Sequence, residues 1–117
     1  MNKLYIKLTA VLICMAGLAQ AQVVTTVAGS TAPGSANGTA PGASFYRPWA
    51  VAAYGGNLFV ADAYNNDVRK IDMTTLIVTT LAGSTAGGSA DGIGAAAHFW
   101  GPSGIVADGK GNLYVTD

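Results

Sequence analysis

A seven-residue segment occurs twice in this chain with a single conservative change. The sequence reads VTTVAGS over Val24–Ser30 and VTTLAGS over Val78–Ser84, 54 positions later. A chain that repeats itself at a fixed interval is built from copies of one structural unit. This repeat therefore limits the possible folds more than any other feature of the sequence.

A second pair of similar segments follows the first pair. FYRPWAVAAYGGNLFVAD spans residues 45–62, and FWGPSGIVADGKGNLYVTD spans residues 99–117. The offset is 54 at the start of the pair and becomes 55 after one inserted residue near Lys110, so that Asp62 corresponds to Asp117. A period close to fifty residues indicates a solenoid, a propeller or another repeat array.

The content of one period distinguishes among these arrays. Four short runs rich in β-branched and aromatic residues are separated by turn residues, which predicts four β-strands. The runs are WAVAAY, NLFVA, VRKID and LIVTTLA, all between Trp49 and Ala82. No window carries the i, i+3, i+4, i+7 stripe of a capped amphipathic helix. Four strands per period predict an all-β fold, a β-propeller of four-stranded blades.

The same residues carry a family resemblance. RPWAVAAYGGNLFVADAYNNDVRKID resembles the NHL repeat, whose pattern is roughly P-x-G-[IV]-A-[VF]-D, then G-N-[IL]-Y-[VI]-[AT]-D, then N-x-x-[IV]-R-K-[IFV]. GPSGIVADGKGNLYVTD is similar to the first two parts of that pattern, whereas the first copy departs from it at Ala50, Tyr54 and Asp67. The resemblance covers nearly all of residues 23–117. It implies about one and a half NHL-type blades in this chain.

The resemblance also divides the chain into segments. Residues 22–28 are expected to be an outer strand that closes the last blade of a circular propeller. Residues 45–82 are expected to form the first blade, and residues 98–117 the truncated start of the second. Residues 29–44 and 83–97 are Gly-rich linkers. We expect these linkers to be the most mobile segments, because they have few apolar side chains to offset their ordering entropy.

Residues 1–21 have the features of a secretory signal peptide. Lys3 and Lys7 precede an apolar run that ends at Ala19. This run is shorter than the roughly 20 residues that a membrane-spanning helix needs. We expect cleavage between Ala21 and Gln22, which would release a secreted or periplasmic bacterial protein without a membrane span.

Charge and composition argue against several functions. The chain has six basic and six acidic residues and no basic patch, which argues against nucleic-acid binding. Its only cysteine, Cys14, lies in the predicted signal peptide and lacks the small preceding residue of a lipidation signal. His98 is the only histidine and there is no glutamate, so a clustered transition-metal site is not expected. We predict no metal, no cofactor and no catalytic group in this chain.

Aromatic residues and an arginine occur where the loop meets the first strand of each repeat. One interpretation is that they bind a ligand, since loops at the end of a rigid scaffold carry recognition. The alternative is that they wedge between adjacent blades. The residues are Tyr46, Arg47, Trp49 and Trp100.

Polar residues end the second strand of each repeat. Asp62 and Asp117 could be metal or substrate ligands near the propeller axis, or they could form turns by accepting hydrogen bonds from backbone N–H groups. Their recurrence at the same position favours the turn role, and Asn65 and Asn66 are interpreted in the same way.

These features together predict a secreted binding or scaffolding module with a protein or glycan ligand. An alternative implied by the resemblance is a propeller enzyme of the lyase or lactonase type, whose metal ligands would come from other blades. A third possibility is a purely structural, Gly-rich surface protein. Fold-level analogy underlies all three, and a fold does not determine a function.

Overall fold

The computed structural model describes residues 4–8 and 23–117. Within these ranges the regular elements are strands and two short 3₁₀ turns, Ala63–Asn65 and Gly94–Ala96, without an α-helix. The strands of the described residues are β1 (Leu4–Leu8), β2 (Val23–Ala28), β3 (Gly38–Thr39), β4 (Pro48–Tyr54), β5 (Asn57–Asp62), β6 (Asp67–Asp72), β7 (Ile77–Gly83), β8 (Gly104–Ala107) and β9 (Leu113–Thr116).

Strands β4 to β7 form the first blade as an antiparallel meander. Val60 in the middle of β5 lies opposite Val51 of β4 on one side and opposite Arg69 of β6 on the other. The turn between β4 and β5 consists of Gly55 and Gly56, whose φ angles of 56° and 75° suit a two-residue type I′ hairpin. The prediction of four strands is confirmed, with bounds that differ by no more than one residue.

Strands β8 and β9 begin the second blade. They form a separate antiparallel hairpin in which Ile105 lies opposite Val115. Strand β8 lies beside β4, the first strand of the preceding blade. The backbone N–H of Gly101, just before β8, donates to Asn66 Oδ1 of the first blade at 3.0 Å. The structure is thus an all-β partial propeller whose sheets do not close into a ring.

The core lies between the first blade and the loop that precedes it. The blade contributes branched side chains, and β2 and the loop contribute mainly alanines, which allow the loop backbone to approach the sheet closely. The buried core residues are Ala28, Ala40, Ala43, Phe45, Val60, Ile71 and Val78.

The loop of residues 29–44 has a defined structure, and its expected mobility stays a prediction. Within it, β3 extends the sheet by pairing Gly38 with Val78 and Thr39 with Ile77 of β7. Ala43 in the same loop is completely buried. Small apolar side chains alone do not stabilise this loop. Its backbone carbonyl groups also accept hydrogen bonds from the Arg69 side chain.

The two glycine-rich loops share a hydrogen-bond pattern. Three bonds in the loop before the first blade have a counterpart 54 residues later in the loop before the second blade. The matched donors and acceptors are Gly34 N to Phe45 O (3.2 Å) and Gly88 N to Phe99 O (3.0 Å), Ser44 N to Ala36 O (3.1 Å) and His98 N to Ala90 O (2.9 Å), and Gly42 N to Thr39 O (2.9 Å) and Ala96 N to Ile93 O (3.1 Å). The loops are therefore part of the repeating unit and not passive linkers.

Strand β2 forms over Val23–Ala28, where the closing strand was predicted. It pairs antiparallel with β1, so that Val23 lies opposite Leu8 and Val24 lies opposite Lys7. Strand β1 belongs to the predicted signal peptide, most of which lies outside the described residues. Signal cleavage would remove β1, and the role of β2 as a closing strand stays a prediction.

Candidate functional site

A buried ion pair connects the first blade to its glycine-rich loop. Arg69 on β6 is fully buried, and its Nη1 lies 3.1 Å from Oδ2 of Asp62. A buried guanidinium is stable only when its remaining donors also find acceptors. The loop provides acceptors for Nη1 and Nη2, because Arg69 donates to Ser44 O (2.9 Å), Ser35 O (3.2 Å), Ala36 O (3.1 Å) and Asn37 Oδ1 (2.7 Å). The Nε atom has no hydrogen-bond partner among the described residues.

The ring of Phe45 completes this guanidinium site. The Cζ atom of Arg69 lies 5.2 Å from the centre of the Phe45 ring, which is within the range of a cation–π contact. Phe45 is itself completely buried at the end of the loop. The glycine-rich loop is thus folded around a charged side chain from the blade.

Asp62 accepts hydrogen bonds from three directions. Its Oδ1 accepts from the backbone N–H of Tyr46 at 2.8 Å, and its Oδ2 accepts from Asn65 Nδ2 at 2.7 Å as well as from Arg69. A hydrogen bond from a backbone N–H to Asp62 was predicted and exists, but its donor, Tyr46, lies in the loop before β4. The 3₁₀ turn that follows Asp62 has no side-chain cap. The Asp62 side chain therefore ties two segments together and does not cap its own turn.

Asp117 makes the equivalent bond in the second repeat. Its Oδ1 accepts from the backbone N–H of Trp100 at 2.6 Å. Trp100 and Tyr46 occupy the same position of the repeat, as do Asp117 and Asp62. The aspartate at the end of the second strand thus fixes the loop before the first strand in both copies.

The two asparagines after Asp62 have different roles. Asn65 is buried, and its Nδ2 also donates to Gly34 O of the loop at 2.7 Å. Asn66 adopts a left-handed conformation with φ of 54°, which asparagine tolerates better than most residues. Asn66 therefore forms the turn, and its bond from Gly101 also joins the two blades.

Asp67 is a buried carboxylate whose hydrogen bonding is incomplete. It is 2 % exposed, and its Oδ1 has no hydrogen-bond partner. Its Oδ2 lies 3.9 Å from Arg69 Nε. Burial raises the pKa of Asp67 to about 7, the Arg69 charge opposes that rise, and the Asp62 charge adds to it. Burial also raises the pKa of Asp62.

Three side chains form an exposed group at the end of the first blade, which we call the aromatic–arginine cluster: Tyr46, Arg47 and Tyr64. Arg47 Nη1 donates to the Tyr64 hydroxyl at 2.9 Å, and its Cζ lies 4.7 Å from the centre of the Tyr64 ring. The Tyr46 and Tyr64 rings meet edge to face with centroids 5.0 Å apart. Two of these residues were predicted, and Tyr64 was missed because it lies in the turn sequence AYNN.

Arg47 occupies a backbone position that favours glycine. Its φ angle is 54°, and the equivalent residue of the second repeat is Gly101, with φ of 81°. The left-handed conformation costs a residue with a Cβ atom about 1–2 kcal/mol. The contacts with Tyr64 offset part of this cost and hold the guanidinium in place.

Both tryptophans are exposed. Trp49 on β4 is 64 % exposed, and Trp100 in the loop before β8 is 75 % exposed. Whether these rings bind a ligand or pack between adjacent blades stays a prediction. Trp100 lies at the repeat position of Tyr46 and therefore at the same end of its blade.

Residues 4–8 and 23–117 contain neither a metal-binding cluster nor a membrane-spanning helix. In these ranges, no three His, Cys, Asp or Glu side chains come together as a possible metal site. The same ranges contain no helix of the length and hydropathy that a bilayer crossing requires.

Comparison with known proteins finds similar solved structures but no family. No family model and no curated protein matches the chain. A structural genomics protein of unknown function from Bacteroides thetaiotaomicron VPI-5482 is similar, with a TM-score of 0.76 and 26 % identity over 80 % of this chain and 24 % of that one.

Two other similar structures are described as auxiliary nutrient binding proteins. The protein from Bacteroides ovatus ATCC 8483 has a TM-score of 0.67 and 22 % identity, and that from Bacteroides thetaiotaomicron VPI-5482 has a TM-score of 0.66 and 18 % identity. Each match covers 82 % of this chain and 26 % of the other. At these identities the likeness shows the fold alone, and the chain spans about a quarter of the length of the structures it matches.

Proposed function

We propose that this chain is part of an exported NHL-type β-propeller that binds a carbohydrate at the aromatic–arginine cluster. The repeated motifs and the signal-like N-terminus support the family and the export. Two similar structures are described as nutrient binding proteins, which agrees with a binding role. The observation that carries the proposal is the strained and exposed position of Arg47 against Tyr64.

Strained backbone conformations cluster at functional sites, where the side chain serves a function and is not required by the fold. The second repeat has Gly101 at this position, so the blade architecture itself does not need an arginine. Arg47 is nevertheless present, and Tyr64 holds it through a hydrogen bond and a ring contact. A guanidinium fixed in this way is preorganised, so that it can bind a ligand with little further loss of side-chain entropy.

The chemistry of the aromatic–arginine cluster suits a sugar. The face of an exposed aromatic ring packs against the C–H groups of a pyranose, while guanidinium N–H groups donate to its hydroxyl or carboxylate oxygens. Tyr46 is 39 % exposed and Tyr64 is 49 % exposed, so both rings are open to solvent. Trp100 provides a further aromatic surface in the neighbouring repeat, which suits an oligosaccharide more than a single sugar unit.

Affinity electrophoresis of the chain in gels containing neutral or acidic polysaccharides tests this proposal. We expect retardation by at least one polysaccharide and a loss of affinity of about tenfold in Arg47→Ala and in Trp100→Ala, since buried aromatic and charged contacts at a binding site contribute this much. Tyr114→Ala is the matched control, because Tyr114 is 60 % exposed but lies on β9 and not in the loop before the first strand of a repeat. Equal retardation of all variants would contradict a site at these residues.

A further inference from the structure

We infer that the dipeptide formed by Asn37 and Gly38 is the site at which this chain deamidates, and that Arg69 binds the aspartate carboxylate that the reaction creates. The reaction is an intramolecular modification that consumes only water. The residues that take part belong to the first glycine-rich loop and to the first blade. The inference depends neither on a ligand nor on the aromatic–arginine cluster.

The residue that follows Asn37 allows the side-chain amide to react with the backbone. The backbone nitrogen of the next residue attacks Cγ of the asparagine, and a five-membered succinimide ring forms as the Cγ–Nδ2 bond breaks. The leaving ammonia takes the proton that the backbone nitrogen loses. Glycine favours this step because it has no Cβ atom to hinder ring closure. Asn37 is the only asparagine of the chain that precedes a glycine.

The space around the dipeptide is open. Asn37 is exposed, and a Cβ atom placed on Gly38 would meet no other atom within 4 Å. Strand β3, to which Gly38 belongs, has only two residues and lies at the edge of its sheet. A short edge strand opens locally at little cost, which frees the Gly38 nitrogen for the attack.

Two donors of the first blade contact the oxygen on which negative charge develops. Nη2 of Arg69 donates to Asn37 Oδ1 at 2.7 Å, and the Thr80 hydroxyl donates to the same oxygen at 3.4 Å. Attack on Cγ converts this oxygen into an oxyanion, and donors that are already in place stabilise such a charge. The guanidinium therefore polarises the amide that reacts.

The carboxylate of the product faces the same guanidinium. Water opens the succinimide at either carbonyl carbon, which gives aspartate or isoaspartate at position 37. Isoaspartate adds one atom to the backbone and so disturbs the pairing of Gly38 with Val78. Aspartate leaves the backbone unchanged, and its oxygen replaces the amide oxygen as the acceptor for Arg69. Such a charge-assisted hydrogen bond is roughly twice as strong as a neutral one.

The second repeat has an aspartate at the equivalent position. The residue 54 positions after Asn37 is Asp91, which is followed by Gly92. The segment Gly-Ser-Ala precedes both Asn37 and Asp91. The sequence of the repeat therefore accommodates a carboxylate at this point of the glycine-rich loop.

Peptide mapping by mass spectrometry follows the reaction in the whole chain during incubation in mildly alkaline buffer. We expect conversion at Asn37 before any other asparagine, and Gly38→Ala should slow it several-fold because a Cβ atom hinders ring closure. A synthetic peptide that copies residues 34–40 contains the same dipeptide without Arg69 or Thr80. The chain should convert at least as fast as this peptide, since the polarising donors offset the restraint of the loop. The internal controls are Asn2, Asn57, Asn65, Asn66 and Asn112.

The variant Asn37→Asp supplies the product directly. Below the Asp67 pKa of about 7, it should unfold at a higher urea concentration than the unsubstituted chain, because Arg69 gains a charged acceptor. Thr39→Asp is the matched control, since it adds a carboxylate at an exposed position of the same loop. The peptide comparison needs no substitution, so it remains valid if a variant fails to fold. The inference is overturned if Asn37 stays intact while the peptide converts completely, if another asparagine converts first, or if Asn37→Asp is no more stable than Thr39→Asp.

Discussion

Arg69 and Asp62 are both completely shielded from solvent, and Nη1 of the arginine lies 3.1 Å from Oδ2 of the aspartate. The pair joins two neighbouring strands of the blade. Removing two charges from water is unfavourable unless other groups complete their hydrogen bonding. Here the glycine-rich loop supplies the missing oxygens, so the folding of the loop and the burial of the ion pair depend on each other.

Replacement of Arg69 by methionine should therefore destabilise the protein strongly. Asp62 and Asp67 would remain buried without a cation, and loss of one partner of a buried pair typically costs about 3–5 kcal/mol. Urea denaturation followed by tryptophan fluorescence measures the change in the free energy of unfolding.

Lys110→Met provides the control for this substitution, because Lys110 is exposed in the turn between β8 and β9. Its effect should lie within about 0.5 kcal/mol of zero. Arg69→Lys keeps the charge but has fewer donors, and we expect an intermediate loss. If Arg69→Met were no less stable than Lys110→Met, the loop would not depend on the ion pair.

The strands could be predicted from the sequence because their signals are local. Alternating turn residues such as Gly55 and Gly56 bound short apolar runs, and a hairpin needs nothing beyond them. The order of the first loop could not be predicted in this way, since it depends on Arg69, which is 34 residues from Ser35. The sequence nevertheless contains a sign that the loop is structured. The segments GSTA and GSA recur in both loops at the same 54-residue offset, and an unstructured linker would not need to repeat them.

The candidate site was predicted only in part. An aromatic next to an arginine at a loop–strand junction drew attention to Tyr46 and Arg47, and the structure places both at the surface. Tyr64 becomes a neighbour only through the 3₁₀ turn after β5, which no local pattern predicted. The left-handed backbone of Arg47 is visible in the sequence only when it is aligned with Gly101.

Stability should fall as the pH rises from about 4 to 7 because of Asp67. Its pKa is about 7 in the folded protein against an ordinary value of 3.8, so the folded state holds a proton in this range that the unfolded state has released. The unfolding free energy should decrease by up to about 1.4 kcal/mol per pH unit for one such group. The contribution is lost as the pH rises through about 7, the folded-state pKa.

The substitution Asp67→Asn tests the assignment of this pH dependence. It should reduce the slope between pH 4 and 7, because the amide does not titrate beside Arg69 and Asp62. Asp72→Asn is the control, since backbone N–H bonds from Thr75 and Thr74 lower the pKa of Asp72 and move its titration below this range. An unchanged slope in Asp67→Asn would assign the pH dependence to another group, with Asp62 the next to test.

Expression of the full chain in a secreting bacterial host should yield a product that begins at Gln22. The A-x-A pattern ending at Ala21 predicts this cleavage site. Mass spectrometry of the exported protein gives its N-terminus directly, and Ala21→Pro should block processing. The product should also contain no thiol, because Cys14 is removed. Recovery of a chain that starts at Met1 from the exported fraction would refute the signal peptide.

A pair of glycine-to-alanine substitutions separates backbone strain from close packing. Gly55 and Gly83 both have positive φ, 56° and 91°, so alanine is strained at either position. A Cβ atom at Gly55 meets no other atom within 4 Å, whereas at Gly83 it would lie 2.5 Å from Asn66 O and 2.9 Å from Phe99 Cδ2.

Gly55→Ala should therefore lower the unfolding free energy by about 1 kcal/mol, the conformational term alone. Gly83→Ala should lower it by about 3 kcal/mol, because the overlapping atoms belong to backbone and to a packed ring that do not move freely. Gly83 ends β7 where the second loop begins, and its neighbours Asn66 and Phe99 belong to different repeats. Equal losses in the two variants would show that the chain is not tightly packed at this junction.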